Sequence, residues 1–439
     1  MKDTAIAQAG TMWDADMGTG KTRSAIDVYE ELGRPKTIIT APLSVVRGVW
    51  PGEFEKWVDR PLPNIGVIDS RIGAKRGLTA AQNRIKVAEE SDVVITNYDL
   101  VWRKPLSDAL LKMGFELLIM DESHRIKAPG GVTSRYLSRL SDRIPKRIAL
   151  TGTPMPHSPL DIYAQYRALD KSIFGTSNAL FKARYAIMGG FDRRVVVGYQ
   201  NEDELREKFD SIAVKVNRDD VLTLPDSVDS TRLFELSPKA QRAYDQMFNI
   251  FVTQVDEQVV TASNALVKLL RLQQMTSGRI RGDDSDEYMT IDTGKREVLK
   301  DVLTDNDDSH IVVFCRFSED VSAIHEIAES NGKQSWEFSG KLKQLDEWRT
   351  VGGVLATQIQ SGGLGIDLTL ASTAIYYSLG FSLGDYLQSK ARVLRPGQNR
   401  NVHYIHICAD KSVDVQVLKS LAEKRDAIES IIYDIKNRR

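Results

Sequence analysis

Eight residues near the start of the chain, Ala15 to Thr22 (ADMGTGKT), bring together three kinds of group that hold a nucleoside triphosphate. Gly18 and Gly20, flanking Thr19, let backbone N–H groups close around phosphate oxygens. Lys21 reaches the β- and γ-phosphates, and the Thr22 hydroxyl is placed to ligate a magnesium ion. The pattern departs from GxxxxGK[ST] at its first position, where Ala15 replaces glycine. The flanks supply the context such a loop needs. Thr11 to Trp13 reads as a strand entering it. Arg23 to Leu32 carries apolar residues at Ala25, Ile26, Val28, Tyr29 and Leu32, a helical spacing that sets a helix N-terminus against the anion.

About one hundred residues on, the apolar run Leu117 to Met120 delivers Asp121 and Glu122 in the tetrapeptide DESH. Carboxylates at the C-terminal end of a parallel strand lie where open α/β sheets bind ligands. Asp121 is expected to hold the magnesium ion through its water shell, and Glu122 to polarise the water that attacks the γ-phosphate. A third strand, Arg147 to Leu150, runs into TGTP at Thr151 to Pro154. Alone, that is an ordinary turn; after the phosphate loop and DESH it reads as a relay between the nucleotide and a second domain.

The elements that must position these groups alternate along the chain. Strands at Thr37 to Thr40, Val67 to Ile68 and Val93 to Thr96, with a helix near Ala80 to Glu89, predict a parallel sheet. Residues 155–220 read as mostly helical and carry no strand signal. From Ser237 to Arg271 the helical pattern dominates, with Leu266, Leu269, Leu270 and Leu272 as a core-facing stripe. A second alternation then runs through Ile311 to Cys315, Trp336 to Phe338, Val354 to Thr357, Ala374 to Tyr377 and Val402 to Ile407, followed by a helix over Val413 to Asn437. This half has no phosphate loop. It has SGGLGIDL at Ser361 to Leu368 and QSKARVLRPGQ at Gln388 to Gln398. The expected division is 1–225, with a helical protrusion at 155–220, and 226–439, with one at about 235–290.

These segments, in this order, resemble the motifs of superfamily-two helicases, and more narrowly the Snf-type (SWI/SNF-like) DNA translocase ATPases. The narrower likeness rests on EFEKW after APLSVV, VITNYDL at Val94 to Leu100, DESHRIK at Asp121 to Lys127, LTGTP at Leu150 to Pro154, and RPGQ ending at Gln398. The compact chain looks most like bacterial or bacteriophage members.

The resemblance implies an α/β fold of two RecA-like lobes, each a mostly parallel sheet flanked by helices, with ATP in the cleft between them. Arg392 and Arg395, three apart on one helical face, would point from the second lobe at the nucleotide. Gly365, Asp367 and Gln388 would complete the nucleotide site. By the same analogy DNA is tracked by Ser44, Arg47, Asn97, Tyr98, Arg316, Ser339, Lys341, Ser361 and Gly362. Hydroxyls, amides and cations on phosphates grip without reading sequence, so sequence-tolerant, salt-sensitive binding of double-stranded or branched DNA is expected. The chain departs from the family in three places. No glutamine motif precedes Ala15, Pro156 and His157 follow TGTP, and Ala128 follows HRIK.

Composition narrows the remaining classes. The chain has 439 residues, 42% hydrophobic and 27% charged, enough for two or three substantial cores. A net charge of −1 gives no global attraction to a polyanion, so a nucleic acid must be held by a local groove. Cys315 and Cys408 lie in separate apolar segments, which argues against a disulfide or structural zinc and for a reducing compartment. The acidic runs Asp283 to Glu287 and Asp305 to Asp308 read as solvated loops. No apolar run is long enough for a membrane span and no leader pattern is present, so a cytoplasmic location is expected, in a bacterium or in a phage's host. An RNA helicase of the same superfamily, a non-catalytic nucleotide-switched recruitment module and the motor subunit of a defence complex are the alternative readings.

Overall fold

The computed structural model describes all residues except 44, 76, 157, 190–194, 257–261, 282–287, 360–365 and 424–439. The chain forms two units, Met1–Leu222 and Thr223–Arg439.

The first unit is built on strands β1 (Gly10–Ala15), β2 (Thr37–Ala41), β3 (Ile65–Ile68), β4 (Val93–Asn97), β5 (Leu117–Asp121) and β6 (Lys146–Thr151). A hairpin, β7 (Ala186–Gly189) with β8 (Val195–Tyr199), and an edge strand, β9 (Ala213–Val216), follow. The main sheet has the order β3-β4-β2-β5-β6-β1-β9, and every pairing is parallel.

The central strands are apolar on both faces because helices cover both. Trp13, Ile39, Ile95, Ile119 and Leu150 pack with Ile26, Tyr29, Trp50 and Phe54 on one side. Met12, Ile38, Val94, Leu118 and Ala149 pack with Leu137, Leu140, Tyr163 and Tyr166 on the other. This is the continuous-hydrophobic pattern of parallel strands. Gly10 starts β1 where a Cβ would lie 2.6 Å from the Leu169 carbonyl oxygen, so a larger residue would push the helix Ile162–Leu169 off the sheet.

The 155–220 stretch is not the strand-free protrusion that its pattern predicts. After the helix Asn178–Tyr185 and the hairpin comes the helix Glu202–Asp210, and then β9, which pairs with β1. The four residues of β9, AVKV, alternate too briefly, next to a charged helix, to stand out in sequence.

The second unit carries β10 (Ser227–Phe234), a short hairpin of β11 (Arg279–Arg281) with β12 (Tyr288–Thr290), β13 (His310–Cys315), β14 (Ser335–Phe338), β15 (Gly353–Gln358), β16 (Thr373–Tyr376) and β17 (Val402–Ala409). Its sheet runs β10-β17-β16-β13-β15-β14, again all parallel. The helices Pro238–Asp256 and Ala262–Thr276 precede β13, with Leu269 and Leu272 buried and Leu266 and Leu270 packed beside them. Strand β10 went unread because it is a polar edge strand, mostly exposed. The acidic run at Asp305 to Asp308 does more than meet solvent. Asp308 accepts from the Ser372 and Thr373 hydroxyls at 2.7 and 2.6 Å and pairs with Arg400, tying the ends of two strands. The last helix is described over Val413–Ala422, and the remainder of its expected span and the run Asp283 to Glu287 lie outside the described residues.

One buried histidine sets an acid limit on the second unit. His406 on β17 stacks on Tyr376 at 4.8 Å, its Nδ1 donates to the Ser230 carbonyl at 3.3 Å, and its Nε2 accepts from the Tyr386 hydroxyl at 3.0 Å. The neutral ring satisfies both bonds. Burial pushes its pKa down to about 4, although Asp229 opposes the shift. The unfolded chain therefore takes up this proton first, and stability is lost as pH falls from about 6.5 toward 4. Between pH 7 and 4.5 the native chain should lose about 2 to 3 kcal/mol more than His406→Gln, as measured by denaturant titration at each pH. Equal losses would remove His406 as the cause.

Candidate functional site

The phosphate loop connects β1 to the helix Lys21–Glu31. Gly18 and Gly20 both have φ of +84°, a conformation costly for any residue with a Cβ, and a Cβ at Gly20 would point into open space. Glycine is required there by the backbone, which turns from β1 into the helix. Thr19 caps the turn through its hydroxyl, which donates to the Asp16 carbonyl at 2.7 Å. The Lys21 ammonium donates to the carbonyls of Ala15 and Asp16, the latter at 2.9 Å. Thr22 sits half-buried in the first helical turn. The late strand β9 walls the loop. The Asp16 N–H donates to Val216 O at 3.0 Å, and the Asp16 carboxylate accepts from the Arg218 N–H at 2.9 Å.

Asp121 ends β5, and Glu122 follows in a left-handed conformation, φ 52° and ψ 53°. A non-glycine residue held there stores strain, a feature that concentrates at functional sites. Burial, and then the Glu122 charge, push the Asp121 carboxyl up to about 6. The Trp50 indole N–H, 3.0 Å from Asp121 Oδ2, and the Lys21 ammonium pull it back. Lys21 is itself pushed down by burial, while Glu122, Asp121, Asp16 and Asp14 hold it up. Glu122 Oε2 is buried without a hydrogen-bond partner and lies 3.4 Å from His124 Nδ1.

The order β5-β6-β1 puts the TGTP turn between these carboxylates and the phosphate loop. Gly152 lies against the loop's entrance, where an added Cβ would be 3.1 Å from the Ala15 carbonyl oxygen. Thr151 Oγ1 is 3.0 Å from His124 Nδ1 and accepts from the Thr153 N–H at 3.1 Å. Behind them Gln165 accepts from the Ser123 hydroxyl at 2.8 Å and donates to the Pro154 carbonyl at 2.7 Å. DESH and TGTP are thus fastened to each other and to one helix.

In the second unit, Arg392 lies in the last turn of the helix Leu383–Val393, and its carbonyl accepts from the Leu368 N–H at 3.1 Å. Arg395 lies past the helix end, because Leu394 has left helical geometry. The two arginines are therefore not on one helical face, as their spacing predicts. Arg395 stands near Asp367: burial raises the Asp367 carboxyl, but bonds from Thr369 and the charges of Arg395 and Arg349 hold it below its usual range. Gln388 is half-buried on the same helix. Gln398, last of RPGQ, is a structural clasp. It donates to the Ala371 and Val393 carbonyls at 2.7 and 3.3 Å and accepts from two backbone N–H groups at 3.0 Å each. Gly365, Ser361 and Gly362 lie outside the described residues, as does Ser44.

The expected DNA contacts divide. Arg47 is fixed by the wholly buried Asp69 at 2.6 and 2.9 Å, with more than a third of its side chain exposed. Asn97 is buried with Oδ1 unpartnered. Tyr98, expected at the surface, is buried, and its hydroxyl donates to the Asp121 carbonyl at 2.6 Å, so it braces the end of β5 instead. The Arg316 guanidinium lies 4.8 Å over the Phe381 ring. Ser339 is buried and caps its own turn by accepting from the Lys341 N–H at 2.9 Å, leaving Lys341 exposed. Trp50 and Gln165 were not legible as site residues. Nothing in WPGEFEKW marks an indole N–H aimed at a carboxylate seventy-one residues away.

The profile of the SNF2-related domain matches residues 4–280. The chain belongs to the SNF2-related family. Protein p41 of Acyrthosiphon pisum secondary endosymbiont phage 1 is 25% identical over 450 residues, covering 97% of this chain and 94% of that protein. The DNA annealing helicase and endonuclease ZRANB3 of Bos taurus is 24% identical over 438 residues, covering 96% of this chain and 39% of that protein, so this SNF2-related chain spans less than half its length. The solved SWI2/SNF2 ATPase core of Sulfolobus solfataricus in complex with dsDNA is 21% identical, covers 100% of this chain and 92% of that one, and has a TM-score of 0.45. Among the described residues no helix is long and apolar enough to cross a membrane, and no three His, Cys, Asp or Glu residues cluster as metal ligands.

The indole is the most informative residue to change in this SNF2-related site. Trp50→Phe keeps the ring and removes the N–H that stabilises ionised Asp121. Because a bond to a charged acceptor is worth about 1.5–3 kcal/mol, the acid limb of nucleotide hydrolysis should move up by about one pH unit, with near-normal rates at pH 8.5. An unmoved limb in the pH–rate profile would show that the indole does not tune Asp121.

Proposed function

We propose that this chain is an ATP-hydrolysing motor that moves along double-stranded or branched DNA. The observation that carries the reading is the convergence, at the ends of β5, β6 and β1, of Lys21, Asp121 and Glu122. The set fits a magnesium nucleotide. The loop offers glycine-permitted N–H groups at a helix N-terminus, and the ammonium, held on backbone carbonyls, can transfer to phosphate oxygens. The half-buried carboxylate and the Thr22 hydroxyl are hard oxygen ligands suited to magnesium.

In this reading Gly18, Thr19, Gly20, Lys21 and Thr22 hold the triphosphate, and Asp121 with Thr22 holds the metal. Bound there, magnesium neutralises charge on the phosphate oxygens. Glu122, whose Oε2 has no hydrogen-bond partner, orients and deprotonates the attacking water. Arg392 and Arg395 supply the cationic groups that stabilise the transferring phosphoryl, with Asp367 holding Arg395. Arg47, Arg316 and Lys341 take DNA phosphates, and Asn97 supports that surface.

Steady-state ATP turnover, with and without duplex DNA, tests the reading. Duplex DNA should raise the rate, and added salt should reduce the stimulation. Lys21→Ala should abolish turnover. Glu122→Gln should abolish it while retaining nucleotide binding. Arg392→Ala and Arg395→Ala should each lower kcat by about 10³ to 10⁵, the usual worth of a catalytic arginine. Equal stimulation by single-stranded RNA would favour an RNA helicase, and nucleotide binding without turnover in the native chain would favour a recruitment module.

A further inference from the structure

The first unit carries a cationic hollow apart from the strand-end site. It lies between the helix Val132–Ser141 and the segment from Ile162 to Phe174, with a volume of about 250 Å³. Arg135, Arg139, Arg167 and Lys171 line it against a single carboxylate, Asp142. Asp142 is already engaged by Lys171, at 2.5 and 2.6 Å. Arg135 and Arg139 are both exposed, sit four apart on one helix, and among the described residues make no ion pair. Like charges at that spacing repel, so local stability does not account for the pair.

Arg167 sits deeper. Its Nη2 donates to the Pro129 carbonyl and the Ser134 hydroxyl at 3.0 Å each, its guanidinium lies 5.6 Å from the Tyr163 ring, and its Nε is buried with no acceptor. With five N–H donors and only two acceptors on Nη2, this guanidinium keeps donors for an anion drawn into the hollow.

We propose that this hollow binds a phosphate group, and that the phosphate belongs to the nucleic-acid backbone. Guanidinium groups match phosphate with paired N–H donors, and two on one helix, about 6 Å apart along its axis, reach neighbouring positions on one polyanion. The assignment of the source rests on the DNA-motor reading. The site also has a route to the chemistry. Arg167 holds Pro129, downstream of DESH, and on the same helix Gln165 joins Ser123 to Pro154. A phosphate drawn onto Arg167 would therefore bear on both loops.

The test uses the full chain and the double variant Arg135→Gln, Arg139→Gln, whose side chains hold nothing else in place. Duplex DNA affinity is measured over a salt series. The variant should bind more weakly, and the slope of log K against log salt should fall in magnitude by about two, with DNA-free ATP turnover unchanged. A second arm measures pyrophosphate binding by calorimetry in a Lys21→Ala background, with and without the two glutamines. An arginine-dependent salt slope supports a DNA phosphate. Arginine-dependent pyrophosphate binding with an unchanged slope keeps the anion site but overturns its assignment to DNA. Arginine-dependent pyrophosphate binding by a native chain that binds no DNA at all would remove the motor reading and leave the anion site. No dependence on the arginines in either arm overturns the proposal.

Discussion

On the nucleotide-motor reading the half-buried carboxylate of Asp121 must stay ionised, and its immediate neighbours answer that demand. Burial and the neighbouring Glu122 both favour its protonated form, and the Trp50 N–H and the Lys21 ammonium favour the charged one. Lys21 is in the complementary position, destabilised by burial and sustained by the same carboxylates. Removing either partner would leave an uncompensated charge in a low-dielectric site, which is far more damaging than deleting a surface ion pair. The carboxylate ends β5 and the lysine follows the loop after β1, two strands separated by a third. Neighbouring strands lie about 4.8 Å apart, so roughly 10 Å must be spanned by side chains and by the turn lying between.

That intervening turn is TGTP, and its composition follows from its place. Gly152 is small because the Ala15 carbonyl lies against it. Thr151 is a hydroxyl residue because His124 Nδ1 and the Thr153 N–H both need it. The phosphate loop thus touches Gly152, and the turn reaches Glu122 through Thr151 and His124. The second unit repeats the parallel sheet but places different groups at its edge. There the clasp of Gln398 fixes the turn that carries Arg395, and Thr369 pins the carboxylate beside it.

The sequence disclosed what a short pattern can encode. The strands around the phosphate loop and DESH were legible because parallel strands covered on both faces are continuous apolar runs, and the helix Ala80–Glu89 emerged with its observed limits. The candidate nucleotide residues stood out because glycine, lysine and acidic residues at fixed offsets have few other uses together. Trp50, Gln165 and Tyr98 in its actual role were not, because each works through one bond to a residue remote in sequence. Strand β9 was missed for a related reason. Its four residues acquire meaning only from pairing with β1, yet they help to fasten Asp16. The helical spacing of Arg392 and Arg395 misled, since a helix that stops at Val393 cannot carry both on one face.

A chain with a net charge of −1 cannot draw in a polyanion by its overall field, so attraction must come from cations held in place against water. Two of the cations expected to meet phosphate are held in place, each by a different device. Asp69, wholly buried, grips Arg47 through two bonds and leaves the outer edge of the guanidinium exposed, at the cost of cancelling one charge locally. Arg316 is held against Phe381, and burial depresses its pKa while the charge of Asp385 partly restores it. The first device orients the cation by two hydrogen bonds, and the second holds it on a ring face. On the DNA-motor reading, each unit would bring its own cation to a phosphate without amassing the positive potential that would bind any acidic macromolecule, which is the balance a molecule moving along a polyanion requires.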